Sequence, residues 1–275
     1  VSVDELTRLV GQGGVLVLSG AGLSTESGIP DYRGPGARQV TPMTFQTFTR
    51  DPLARRRYWA RSQLGWRAIA AAAANAGHRA VGVLQRSGLL HGVVTQNVDG
   101  LHQAGGASGV VELHGNLARV VCLSCGRRSP RDQLDARLRA ANPDFDPAAV
   151  VVNPDGDVQL PDEVVVGFRT VDCDLCLGTL KPDVVFFGES VPRERVQECF
   201  ALVESARSLV VLGSSLTVMS GRRFVLRAVK LGLPVAIVNQ GPTRADDLAT
   251  VRVDAGLGCV LSALAATLCG STVDG

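Results

Sequence analysis

The sequence predicts an α/β protein: a doubly wound parallel sheet carrying a smaller, discontinuous module that is part helical and part metal-binding. Three observations lead there. Short apolar runs alternate with helical patterns along the chain. Most of those runs stop at Gly, Asn or Ser. Two Cys-x-x-Cys pairs sit in a long interruption of that rhythm.

The apolar runs at 15–18, 93–95, 184–187, 209–212 and 235–238 read as buried parallel strands, because they lack the polar face of a half-exposed strand. Helical patterns cover 4–11, 68–87, 193–206, 222–231 and 258–268. Strand and helix in alternation give a doubly wound sheet, and such a sheet binds ligands at the carboxyl ends of its strands. Two stretches break the pattern. Residues 38–67 look helical and arginine-rich, and 117–180 hold the cysteine pairs with a polar, proline-punctuated stretch at 142–163. The expected division is a Rossmann-like domain from 1–37, 86–116 and 183–275. The small domain combines a helical insertion, 38–85, with a zinc-binding module, 117–182.

Composition bounds the function. A chain of 275 residues that is 45% hydrophobic can fill one large core and a satellite. A net charge of +2 gives no reason to expect nucleic-acid binding. Lys181 and Lys230 are the two lysines among 28 basic residues, a skew read first as compositional bias. No apolar run approaches the ~20 residues of a membrane helix. The first residues, with Asp4, Glu5 and Arg8, lack a signal-peptide pattern. The expectation is a cytoplasmic protein, or a mitochondrial one if a targeting segment was trimmed.

Seven cysteines are present, four of them in the pairs Cys122/Cys125 and Cys173/Cys176. An odd count with paired spacing favours metal over disulfides, and four thiolates suit one tetrahedral zinc. The 47 residues between the pairs exceed the usual ~15–20, so the insert elaborates the module. A redox pair at a helix start is the competing reading, and a second pair counts against it.

The strand ends carry the chemistry. After 15–18 comes Ser19-Gly20-Ala21-Gly22-Leu23-Ser24-Thr25, then Gly28-Ile29-Pro30-Asp31-Tyr32-Arg33. Gly20 and Gly22 let backbone approach a pyrophosphate, and a helix start after them would offer N–H donors. Thr25 replaces the third glycine of a dinucleotide fingerprint, so Gly-Ala-Gly alone fits a tight turn equally well. After 93–95 come Gln96-Asn97-Val98-Asp99-Gly100-Leu101-His102 and, further on, Glu112-Leu113-His114-Gly115-Asn116. Polar residues in a row at a strand end line a site or make an Asx-type turn. A lone histidine such as His114 is by itself more often structural than catalytic.

Taken together, these strings resemble the sirtuins, whose sequences carry the same glycine-rich string, then Gln-Asn-(Ile/Val)-Asp-Gly-Leu-His, then His-Gly. Within the family the chain is most similar to the class II, mitochondrial-type and bacterial members. The resemblance implies an NAD-dependent protein lysine deacylase that also carries one structural zinc on Cys122, Cys125, Cys173 and Cys176. It implies cofactor contacts at Gly20, Ala21, Gly22, Ser24, Thr25, Ile29, Pro30, Asp31 and Tyr32. Arg33 would lie in a loop near the phosphates, with Pro35-Gly36 as its hinge. Asp99 would bond the nicotinamide carboxamide, Asn97 would position ribose or water, and Gln96 would touch ribose. Val98 would wall both cofactor and acyl-lysine channel. His114 would be the general base and His102 structural. Gly213-Ser214-Ser215, Asn239-Gln240-Gly241 and Cys259 would surround the adenosine half.

The implied reaction passes the acyl group of acyl-lysine to ADP-ribose and releases nicotinamide, with His114 taking a proton from the ribose hydroxyls. The partner is an acyl-lysine protein or peptide, pairing with backbone at Phe187, Gly188 and Glu189. Tyr58 and Arg61, i and i+3 on one helix, match a Tyr-x-x-Arg pair that holds acyl carboxylates in the desuccinylase branch. They read equally as part of a solvated basic helix. Acidic or bulky acyl groups are therefore expected to exceed acetyl. The alternatives are mono-ADP-ribosyl transfer at the same NAD site, a lipoamidase-type activity, and a non-catalytic NAD sensor.

Overall fold

A computed structural model describes residues 3–32, 41–145, 158, 160 and 162–270. Arg33, Pro35, Gly36 and most of 142–163 lie outside the described residues. In chain order the elements are α1 (Val3–Gly11), β1 (Val15–Ser19), α2 (Phe45–Arg50), α3 (Pro52–Ala71), α4 (Ala76–Arg86), β2 (Leu90–Thr95), α5 (Leu101–Ala104) and β3 (Val111–Glu112). Next come β4 (Gly115–Cys122), β5 (Arg128–Pro130), α6 (Arg131–Ala141), α7 (Asp162–Val165) and β6 (Leu180–Val184). The chain continues with α8 (Arg193–Ser205), β7 (Ser208–Leu212), α9 (Met219–Lys230), β8 (Val235–Val238), β9 (Val251–Val253) and α10 (Leu257–Cys269). None of the described helices is long and apolar enough to cross a membrane.

Among the described residues the main sheet runs β3-β2-β1-β7-β8-β9, every neighbour parallel. The central strands are buried on both faces, and their side chains divide by the two-residue period of the pleat. Val15 and Val17, Val210 and Leu212, Ala236 and Val238 face one apolar cluster with α1, α4 and α10. Leu16 and Leu18, Leu209 and Val211, Val235 and Ile237 face the other, with α8 and α9. The chain winds from β1 toward β3 on one side and from β7 toward β9 on the other. The reversal lies between β1 and β7, the place where such sheets bind ligands.

A second sheet, β5-β4-β6, is antiparallel. Its strands share an apolar cluster with Phe48, Tyr58, Trp59 and Ile69 of the helical insertion. The expected strand at 184–187 is corrected here. The chain is strand over Leu180–Val184, paired with β4, and Phe187 makes only a single bridge to Thr44. A β-branched run ended by glycine reads alike at the heart of a large sheet and at the edge of a small one. Pro182 has no N–H to give and fits an edge.

The expected helix at 68–87 is two helices. Asn75 breaks it by capping α4: its Oδ1 accepts from the His78 N–H at 3.1 Å while Nδ2 donates to the Leu23 carbonyl at 2.7 Å. Ala80, Val81 and Leu84 of α4 then pack in the main-sheet cluster, so this helix sits with the sheet although the expected boundary fell at residue 85.

His78 and His102 are both fully buried, with ring centroids 5.3 Å apart, edge to face. His102 Nε2 meets Ser19 Oγ at 2.7 Å. Burial pushes His78 down to about 4, helped by Arg79, and His102 down to about 3, helped by His78. Both folded values lie below the ordinary 6.5, so the unfolded chain binds more protons in between. Stability is full above pH 6.5 and falls as pH drops toward 3–4. The slope is at most ~1.4 kcal/mol per pH unit for each ring. Urea midpoints measured from pH 7 to 4 should show it, and His102→Gln should flatten the acid side of that curve.

Candidate active site

The site begins with two loops pressed together. Gly20 and Gly22 leave β1 and meet Gly213, which leaves β7 with φ of +62°. A Cβ on Gly20 would lie 2.8 Å from the Gly213 carbonyl oxygen, and one on Gly213 would lie 2.5 Å from the Leu23 nitrogen. The Gly22 N–H donates to the Gly213 carbonyl at 2.9 Å. Glycine is required because backbone touches backbone. In place of the expected helix, the chain then makes two 3-10 turns, Ala21–Leu23 and Thr25–Ser27.

A cavity of about 630 Å³ opens over these loops, within the roughly 300–1,000 Å³ typical of small-molecule sites. Ser24 is its hub. The Ser24 hydroxyl donates to Asp99 Oδ2 at 2.7 Å and accepts from Asn97 Nδ2 at 2.9 Å. Asn97 Nδ2 also donates to the Gly20 carbonyl at 3.1 Å. Asp99 Oδ1 accepts from the Leu101 N–H at 2.9 Å, so Asp99 makes an Asx-type turn and faces the cavity as well. Gln96 Nε2 donates to Ser214 Oγ at 2.9 Å and ties β2 to β7.

His114 stands on the same wall. Its Nδ1 lies 2.9 Å from the Gln96 carbonyl oxygen and its Nε2 2.8 Å from Ser220 Oγ. A carbonyl can only accept, so Nδ1 carries the proton and Nε2 holds the lone pair. Burial lowers its pKa below 6.5; Arg195 and Arg223 add to this, and the bond to Gln96 opposes it. The neutral, proton-accepting form therefore prevails at neutral pH.

Residues 20–220 match the profile of the Sir2 family. The chain belongs to the Sir2 family. It is 63% identical to NAD-dependent protein deacetylase 1 of Streptomyces coelicolor over 255 residues, 92% of this chain and 85% of that one. It is 46% identical to the NAD-dependent protein deacylase Sirt4 of Drosophila melanogaster over 270 residues, 95% of this chain and 86% of that one. A solved structure of Sir2 with a p53 peptide and NAD+ superposes with a TM-score of 0.77 at 30% identity, covering 95% of this chain and 96% of its own.

Within the Sir2 frame, the remaining expected residues fall into two groups. Ala21, Ile29, Pro30, Asp31, Tyr32 and Val98 line the cavity, as do Ser215, Asn239, Gln240 and Gly241. So do Phe187, Gly188 and Glu189. Glu189 accepts from Lys181 Nζ at 3.0 Å and from the Phe186 N–H at 2.9 Å, which fixes the turn that presents them. Four others lie off that lining. Thr25 turns its hydroxyl back onto the Gly22 carbonyl at 3.0 Å and is off the wall. Cys259 is exposed on the first turn of α10, whose Gly258 N–H donates to Glu26 at 3.0 Å. Tyr58 is 2% exposed in an aromatic cluster with Phe48, Trp59 and Phe186, one layer behind the wall. Arg61, one turn further along α3, does not line the cavity either.

Sequence reasoning missed two residues. Ser220 opens α9, a helix start with no motif to flag it. Arg252 donates to the Asn239 carbonyl at 2.9 Å and also bonds the Gly241 carbonyl, so it shapes the loop after β8. A lone arginine in a short edge strand gives no signal in sequence.

The four cysteines converge. Their Sγ atoms all lie within 4.8 Å of one another, with Cys122–Cys176 at 3.5 Å and Cys125–Cys173 at 3.9 Å. A tetrahedral zinc with Zn–S near 2.3 Å spaces its sulfurs by about 3.8 Å, so the set fits the ion. β4 starts beside His114 and ends at Cys122, which separates the cysteine cluster from His114 by roughly 20–25 Å. Four thiolates also leave no open position, so the ion is structural. Elemental analysis should find one zinc per chain. A Cys125→Ser chain should lose it and unfold several degrees earlier, and an unchanged melting point would count against the assignment.

Proposed function

We infer that this chain is an NAD-dependent protein lysine deacylase, transferring the acyl group of acyl-lysine to ADP-ribose with release of nicotinamide. The observation that carries the reading is one cavity wall. It brings together His114, whose accepting Nε2 meets the Ser220 hydroxyl, the Ser24–Asn97–Asp99 cluster and the glycine-lined β1/β7 crevice.

NAD supplies the ADP-ribosyl group that receives the acyl chain. The residues present fit it: Gly20, Gly22 and Gly213 let the two loops pack backbone on backbone, and all three line the cavity where a pyrophosphate would lie. Asn97 and Asp99 are locked by Ser24, and with both Asn97 amide hydrogens already donated they offer their remaining oxygen lone pairs to an amide N–H or a hydroxyl. Ser214, Ser215 and Asn239 offer polar partners at the ends of β7 and β8. His114 takes a proton at Nε2, and the imidazolium is steadied at Nδ1 by the Gln96 carbonyl.

The acyl end of the cavity is apolar: Met43, Ile69, Val98, Leu117, Val184 and Phe186 form it. With Tyr58 in the core, nothing on that wall among the described residues pairs with an acyl carboxylate. Neutral acyl chains are therefore favoured over acidic ones, a reversal of the expectation drawn from Tyr58 and Arg61. On a panel of acyl-lysine peptides, succinyl and glutaryl should trail acetyl and longer apolar chains by about ten-fold or more in kcat/KM, and a succinyl preference would sink this point. His114→Ala should lower O-acyl-ADP-ribose formation by about 10²–10⁴-fold while the melting point holds. Mass spectrometry of the products separates this from ADP-ribosylated protein. Near-native turnover without His114 would overturn the reading.

A further inference from the structure

The histidine on the cavity wall has a partner at the nitrogen that accepts the proton. Ser220 Oγ lies 2.8 Å from His114 Nε2. Nδ1 is committed to the Gln96 carbonyl, so in the neutral ring Nε2 accepts and the serine hydroxyl donates. Both residues line the cavity.

The contact is built rather than incidental. Ser220 is the second residue of α9, and its neighbour Gly221 packs on the Gln96 side chain, where a Cβ would come 2.4 Å from Oε1. Gln96 thus holds the start of α9 with its side chain and the imidazole with its carbonyl. The ring is clamped between the end of β2 and the start of α9.

The charged surroundings make this partner matter. The charges of Arg195 on α8 and Arg223 on α9 disfavour the His114 cation, on top of burial. No carboxylate among the described residues bonds either ring nitrogen. A protonated Nε2 needs an acceptor, and a hydroxyl can turn from donor to acceptor without moving its oxygen.

We propose that Ser220 is a positioning residue for the base: its hydroxyl donates to the neutral Nε2 of His114, yields that lone pair when the hydroxyl that gives up the proton takes its place, and turns to accept from Nε2–H once the proton has arrived. This rests on His114 acting as the base. A hydrogen bond to a charged group is about twice as strong as one between neutral groups. Ser220 therefore stabilises the imidazolium more than the imidazole.

The test uses the full chain, whose four histidines make ¹⁵N-histidine NMR tractable, with His114 assigned by the His114→Ala spectrum. The free protein should show the Nδ1–H tautomer. In Ser220→Ala the His114 titration midpoint should fall by roughly half a unit to one unit. The acid limb of kcat/KM against pH should move down with it, and kcat should drop several-fold. Ser220→Thr keeps the hydroxyl and should restore both. An Nε2–H tautomer, or a midpoint unmoved or raised in Ser220→Ala, overturns the proposal. A midpoint that falls while the kinetic limb stays fixed instead overturns the base role of His114, so the two failures are told apart. Equal melting points of the variants exclude a fold effect.

Discussion

Backbone meets backbone between β1 and β7, and most of the site depends on that contact. Gly20 and Gly22 on one loop and Gly213 on the other leave no room for a Cβ. The Gly22 N–H closes the junction on the Gly213 carbonyl. Because the strands on each side wind away in opposite directions, a crevice must open above the junction. Because the loops are bare, the floor of that crevice is N–H and C=O rather than side chain. The polar residues that end β2 and β8 then have one place to go. Gln96 bridges to Ser214, and Asn97 bonds both Gly20 and Ser24. A substitution at any of the three glycines would part the loops and spread the cluster that Ser24 collects.

The same junction reaches His114 through Gln96. Its backbone N–H donates to the Ser19 carbonyl at 2.9 Å, its side chain spans to β7, and its carbonyl fixes the His114 ring. One residue therefore ties strand pairing, loop closure and tautomer together. The buried pair His78 and His102 extends this order into the core, since Ser19 Oγ also donates to Thr95 Oγ1 and that oxygen accepts from the Asn97 N–H. The residues facing the cavity are held from beneath by groups with no contact to solvent. This shell gives the precision that a reacting centre needs.

The main sheet was legible because its strands are apolar on both faces and end in small or polar residues. The loops at 19–33 and 96–102 were legible because close approach and strand-end polarity leave few residue choices. Other features were not. The run at 184–187 has the composition of a core strand, yet Val184 ends a strand at the edge of the second sheet. Asn75 stops a helix in an alanine-rich stretch with one side chain, and its second role, bonding Leu23, is a tertiary contact that no local pattern encodes. Tyr58 and Arg61 have motif spacing, but spacing fixes only a shared helix face. The face that Tyr58 occupies turns into the aromatic cluster behind Phe186.

The placement of Tyr58 bears on how the module serves the reaction. Phe186 is wall on one side and core on the other: it lines the cavity and packs at 5.2 Å on Tyr58. Lys181 lies beneath it, buried, with Nζ 4.6 Å from the Phe186 ring and 3.0 Å from Glu189. Burial lowers the lysine's pKa and Glu189 raises it again, so the pair depends on each partner. Removing Glu189 would strand a buried cation, which costs more than the pair contributes. The turn that presents Phe187, Gly188 and Glu189 to the cavity is thus locked by an ion pair set in an aromatic bed, continuous through β6 and β4 with the four cysteines. The metal touches no reacting atom. Held by the four cysteines, it would act through this packing, by keeping β4 and β6 in register.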